Sequence, residues 1–163
     1  MGVRRATSSD ISQMVALSAK LRAEYATYSP VFWRPAANAS AAQEKYFASL
    51  VDDPALICLV HQAAAGVDGF IIARVVSAPP VYDPGGKVVM IDDFAVAEPS
   101  LWQEVGMALH AETERIAAQQ GAVLSVTVCG ERDIAKRTQL RHAGAEVASE
   151  WYVRRIGDSA RGQ

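Results

Sequence analysis

The stretch from Lys87 to Gly130 sets the topology. KVVMIDDFAVA reads as a strand, LWQEVGMALHAETERIAAQQG as a long helix ended by Gly121, and AVLSVTVCG as another strand. Strand, helix and strand in that order give a right-handed crossover whose two strands are parallel. A sheet built on such a unit takes ligands beyond the carboxyl ends of its strands, close to helix N-termini. Any site is therefore expected around Asp92 to Ala108.

The remaining elements fit around this unit. VRRAT, Val3 to Thr7, is a short first strand, and Ser8, Ser9 and Asp10 are helix-capping residues. Ile11, Met14, Ser18, Leu21 and Tyr25 then recur at helical spacing, which predicts a helix to about Ala26. The two prolines of TYSPVFWRPAANAS break regular structure, and Ala41 to Val51 reads as a second helix. Ala55–Gln62 and Val67–Ala78 form an expected antiparallel hairpin. Arg132 to Gly144 is a basic helix, and AEVASEWYVRRI is a last strand. The fold class is α/β (mixed α+β): a central mixed, mostly antiparallel sheet of about six to seven strands with helices on both faces. One domain is expected over residues 1–156, with a frayed tail over 157–163.

Composition narrows the function. In 163 residues the net charge is −2, so bulk charge gives no support for nucleic-acid binding. No apolar run is long enough to span a membrane, and the N-terminus has no apolar signal region. Cys58 and Cys129 lie in apolar strand-like runs and read as buried thiols of a reducing cytoplasm. His61 and His110 read as structural or surface residues, and the spacing of Cys and His gives no metal site. No dinucleotide-type glycine fingerprint and no Walker-type phosphate loop occurs.

SLWQEVGMALH, Ser100 to His110, has two readings. In one, Ser100 and Gln103 form a capping box and the helix starts at Ser100. Gly106 then sits inside the helix at a cost of up to ~1 kcal/mol. In the other, Gln103 to Ala108 is an anion-binding turn. Its unpaired N–H groups and the helix dipole favour a diphosphate, and the small residues allow close approach.

Gln103-Glu104-Val105-Gly106-Met107-Ala108 fits the Q/R-x-x-G-x-G/A pattern of the GNAT superfamily of N-acetyltransferases. It follows a strand ending at Val96 and opens the long helix, as in that family. VRRATSSD resembles the family's R-x-A-x-x-x-D opening, and the element order from Val3 to Ile156 resembles the family fold. The resemblance implies an acetyl-CoA-dependent transferase acting on a primary amine of a small molecule. It places the diphosphate on backbone amides of about Val105 to Ala108, with Gln103 shaping the turn. The pantetheine arm pairs with strand backbone at Phe94 to Val96, and Asp133 lies near that arm. As a bare sequence feature, Asp133 is equally a helix cap. The link from Val96 to Gln103 is about two residues longer than usual in the family, which either distorts the loop or inserts a turn.

Asp92 and Asp93 interrupt the strand, where adjacent residues face opposite sides. IDDFAV is similar to strands of polyamine and aminoglycoside-type acetyltransferases, where an acid holds the acceptor amine or takes its proton. Asp92 is the first choice by its phase with Met90 and Phe94; Asp93 is the second. A carboxylate suits the task because an alkylammonium must lose a proton before it attacks a thioester. Tyr28, Trp33 and Tyr82 are candidate substrate-binding aromatics in the flanking loops.

The family often has a tyrosine in the following helix that protonates the departing thiolate. Here Leu140 takes that position, and His142 lies two residues on. Arg132, Lys136, Arg137 and Arg141 make this helix basic, by default a solvated face, with phosphate contact as the alternative. The loss of the tyrosine keeps open a non-catalytic acyl-CoA-binding or regulatory domain, and a protein of this class that binds no CoA. Family members often pair, so a homodimer is also open.

Overall fold

The computed structural model describes residues 1–157. Five strands form one sheet in the order β1-β2-β3-β4-β5. They are β1 (Gly2–Arg5), β2 (Leu56–Ala63), β3 (Gly66–Val76), β4 (Lys87–Val96) and β5 (Ala122–Thr127). The helices are α1 (Ile11–Tyr28), α2 (Ala39–Val51), α3 (Val105–Gln119) and α4 (Ile134–His142). Strands β1 to β4 pair antiparallel, and β4 pairs with β5 in parallel across the α3 crossover.

Alternation along the strands divides the core in two. Cys58, Val60, Phe70, Ile72 and Ala95 pack against Met14, Phe47 and Val51 beneath α1 and α2. Ile57, Leu59, Ile71, Val89, Ile91 and Phe94 pack against Trp102, Val105 and Leu109 on the α3 face. The start of the chain is held by its own acidic residue. Asp10 accepts two hydrogen bonds of 2.8 Å from the Arg4 guanidinium and one of 2.8 Å from the Thr7 amide. Thr7 and Asp10 complete a capping box ahead of α1.

Two expectations are corrected. The sheet has five strands among the described residues, and residues 145–156 form none. Gly144, at φ +84°, turns the chain away after α4. The alternating Val147, Trp151 and Val153 then bury no face and remain exposed. β5 is consequently an outer strand, with Val123, Leu124 and Val126 exposed. Of the expected tail, only Gly157 lies within the described residues. No described helix is long and apolar enough to cross a membrane.

Candidate acyl-donor and acceptor site

The link from β4 to α3 contains an added turn. Pro99 to Gln103 winds as a 3-10 helix, and the winding breaks at Glu104, where φ is −113° and ψ −68°. α3 starts afresh at Val105. Leu101 and Glu104 N–H groups bond to the Glu98 and Leu101 carbonyls, and Ala108 N–H bonds to Glu104 O at 3.0 Å. The amides of Val105, Gly106 and Met107 form the first turn of α3, where N–H groups have no acceptor within their own helix. They lie at the positive end of a 15-residue helix, the end whose dipole favours an anion.

This outcome lies between the two sequence readings. The capping box of Ser100 and Gln103 does not form, because Gln103 Oε1 meets His142 Nδ1 at 2.8 Å and ties the turn to α4. Ala108 is corrected as an amide donor, since its N–H is spent on Glu104 O. Gly106 has a packing reason. A Cβ there would lie 2.6 Å from Cε3 of the buried Trp102 ring, so the glycine admits the indole.

β4 is irregular where the acids sit. Ile91 pairs with Ala73 and Asp93 with Ile72, so Asp92 is an extra residue in a β-bulge. The bulge resets the alternation: Phe94 joins Val89 and Ile91 on the α3 face. The expected phase of Asp92 with Phe94 is therefore corrected. Asp92 is exposed and bonds to Arg74 Nε at 2.9 Å and Nη2 at 2.5 Å. Asp93 is half-buried and accepts no hydrogen bond among the described residues. Burial, and then the neighbouring Asp92 charge, push its carboxyl above the usual range, while Lys136 and Arg22 pull the other way. Of the two, Asp93 has the free carboxylate.

The bulge also marks where β4 and β5 part. Their pairing runs from Lys87↔Ala122 to Ile91↔Thr127 and ends there. Beyond it the outer edge of β4, toward Phe94 and Val96, faces α4 rather than a strand. Lys136 reaches in from α4, and its Nζ donates to Phe94 O at 3.3 Å. The ammonium lies 5.2 Å from the centre of the Phe94 ring and 5.4 Å from that of Trp102. Lys136 is only 4% exposed, although the sequence placed it on a solvated face.

Asp133 has two structural duties. It caps α4 through Lys136 N–H, at 3.2 Å, and accepts from the Tyr25 hydroxyl at 2.8 Å. The same hydroxyl accepts from Gly130 N–H at 3.0 Å. Burial and the Asp133 charge raise the Tyr25 phenol, so it stays neutral. Tyr25 was not singled out in the sequence, because its helical spacing reads as core. Tyr28 and Trp33 both pack on its ring, with centroids at 5.4 Å and 5.3 Å. Tyr82 is 73% exposed, on the β3–β4 connection, outside this aromatic group.

A cleft of about 200 Å³ opens beside the end of β4, between α1 and α4. Tyr28, Val96, Trp102, Arg132 and Asp133 are among its walls, and Lys20 closes on Ala97 O at 2.6 Å. Its wall stops at Trp102, three residues before the start of α3. Burial pushes the Cys58 and Cys129 thiols up to about 11, so neither is a ready nucleophile. His61 pairs with Asp68 at 2.6 Å, and His110 is buried and held neutral by burial.

Solved structures share this whole architecture. A mutant BH1408 protein from Bacillus halodurans superposes with a TM-score of 0.82 at 14% identity, over 96% of this chain and 99% of that one. A predicted acetyltransferase from Clostridium acetobutylicum, solved with acetyl-CoA, gives 0.70 at 14% identity over 98% of both chains. An aminoglycoside 6'-N-acetyltransferase from Acinetobacter haemolyticus gives 0.70 at 11% identity, over 96% of this chain and 99% of that one. The fold is that of the GNAT acetyltransferases. No family model matches the sequence, and no curated protein does. At these identities the likeness is one of GNAT architecture, so chemistry must be argued from this chain's own residues. The long β4–α3 link resolves as the inserted 3-10 turn.

Proposed function

We propose that the protein is an acyl-CoA-dependent N-acyltransferase acting directly on a primary amine of a small molecule. The observation that carries this reading is the position of the α3 N-terminus, Val105 to Met107, one 3-10 turn beyond the strand that parts from β5. A diphosphate there accepts three hydrogen bonds and lies on the positive end of the helix dipole. From that anchor the pantetheine arm follows the outer edge of β4 past Val96 toward Phe94. Acetyl-CoA is the expected donor.

The helix dipole at Val105 supports the diphosphate end of this reading. At the other end the Phe94 carbonyl is taken by Lys136, so the arm displaces that hydrogen bond when it binds. Asp93 attracts the acceptor ammonium and takes its proton, directly or through water, and the free amine then attacks the thioester carbon. The C–N bond forms, the C–S bond breaks with its electron pair going to sulfur, the nitrogen gives its second proton to solvent, and the amide leaves. Tyr28 and Trp33 give the acceptor side an aromatic wall. Arg132, exposed at the mouth of the cleft, suits a phosphate of the donor.

A second reading, a non-catalytic acyl-CoA-binding domain, is favoured by Leu140 in place of the family's tyrosine. Release of CoA thiol from acetyl-CoA, followed across a panel of polyamines, aminoglycosides and amino acids, separates the two. The enzyme releases thiol only with an acceptor, loses this with Asp93→Asn and keeps it with Asp92→Asn. Tight CoA binding without turnover for any amine selects the binding domain. No binding of CoA overturns both readings.

A further inference from the structure

Lys136 is the least expected charge in the molecule. Its ammonium is buried, and no carboxylate forms an ion pair with it among the described residues. Its one acceptor is Phe94 O, at the long distance of 3.3 Å, and two aromatic faces complete its surroundings. Burying a cation on such terms is costly. The groups of the surrounding elements do not neutralise it. Asp93 of β4 acts on it only at a distance, as do Asp133 and Cys129 of the β5–α4 loop. Both oxygens of Asp133 are engaged by Tyr25 and by the Lys136 amide. Burial disfavours the charged form of His110 on α3, and the Arg22 guanidinium of α1 is engaged by Gln43 and Ser40.

Its position matters because of where a pantetheine arm must end. The arm enters from Val105–Met107 and runs back along β4. The strands rejoin at Ile91↔Thr127, which closes the gap. The terminal sulfur therefore stops beside Phe94 and the bulge, where the Lys136 ammonium lies. Seating the arm on the Phe94 carbonyl strips that ammonium of its acceptor, and the sulfur is the group that arrives to replace it.

We propose that the Lys136 ammonium meets the sulfur of the acyl thioester, holds the departing thiolate and protonates it, in place of the phenol that Leu140 removes. This rests on the acyl-CoA reading above. As the C–S bond breaks, sulfur receives the electron pair and takes one proton from Nζ. Lys136 is left as a neutral amine. The proton that Asp93 removed from the acceptor ammonium balances it, returning to Lys136 through solvent for the next cycle. Burial lowers the Lys136 pKa, which brings the ammonium closer to a thiol as an acid.

The test needs no acceptor. CoA is bound to the full protein, and the thiolate ultraviolet absorbance is titrated against pH, with desulfo-CoA as the blank. Calorimetry checks binding separately. With Lys136 in contact, the bound thiol ionises about 1 to 3 pH units below free CoA, the range for an opposite charge within ~4–6 Å. Lys136→Met, checked for a native thermal transition, binds CoA and loses that shift. A wild-type complex whose thiol titrates at or above free CoA overturns the proposal without recourse to any variant. An equal shift in Lys136→Met also overturns it. Absence of CoA binding by calorimetry overturns the acyl-CoA reading itself and is told apart by that measurement.

Discussion

Met107→Pro isolates one first-turn amide from the fold that presents it. The Met107 N–H has no acceptor within α3, so its removal breaks no hydrogen bond inside that helix. Proline is tolerated in the first helical turn. The usual clash with the preceding residue is eased, because Gly106 has no Cβ. Met107 is 37% exposed, so little packing is lost. The expected change in stability is within about 1 kcal/mol. In the CoA complex the same N–H makes a charge-assisted hydrogen bond to the diphosphate, worth about 1.5–3 kcal/mol. CoA affinity is expected to fall about 10- to 150-fold. Calorimetric titration with CoA, alongside urea unfolding, reads both quantities. Ala108→Pro is the contrast: its N–H bonds to Glu104 O, and about 3 kcal/mol of stability is expected to go with it. A folded Met107→Pro protein with wild-type CoA affinity refutes the amide cradle.

Three further outcomes follow from single contacts. Tyr25→Phe leaves a buried Asp133 oxygen and the Gly130 N–H without their partner, and is expected to cost about 2–4 kcal/mol, read as a lower urea midpoint at constant slope. Gly106→Ala forces a Cβ into the Trp102 ring; overpacking of about 1–3 kcal/mol outweighs a helix-propensity gain of up to ~1, so the variant melts lower. Asp10, held at about 2 by the Arg4 guanidinium against a usual 3.8, contributes stability that is fully present above pH 3.8 and lost as pH falls toward 2. Allowing for the partly exposed Arg4, about 1–2 kcal/mol is involved. Arg4→Gln is expected to flatten acid unfolding over that window.

The topology was legible because it rests on long, periodic elements. The crossover from Lys87 to Gly130 fixed the parallel β4–β5 pair, and Gly121 ended α3 at a φ of +88°. The R-x-A-x-x-x-D opening proved to be an ion pair joined to a capping box. The misses come from places where local pattern does not determine tertiary contact. A bulge has no residue signature in IDDFAV, so strict alternation put the wrong acid in phase with Phe94. The helix restarts at Val105, so Ala108 N–H bonds to Glu104 O and leaves the expected set of donors. Lys136 looked solvated because Arg132, Arg137 and Arg141 surround it in the sequence. A signal was present: α4 has no apolar stripe, so the face it turns inward, with Asp133, Lys136 and Gln139, had to be polar. The apolar alternation of residues 147–153 predicted a strand, but alternation supplies no partner edge.

The most direct measurement follows the backbone amides themselves, by nitrogen–proton NMR of the full chain during titration with CoA and, separately, with pantetheine. The account predicts that CoA moves the Val105, Gly106 and Met107 resonances most and downfield, as new hydrogen bonds to phosphate require, while pantetheine leaves them in place. If those three amides stay still while CoA binds elsewhere, or if CoA moves no resonance at all, the account is contradicted.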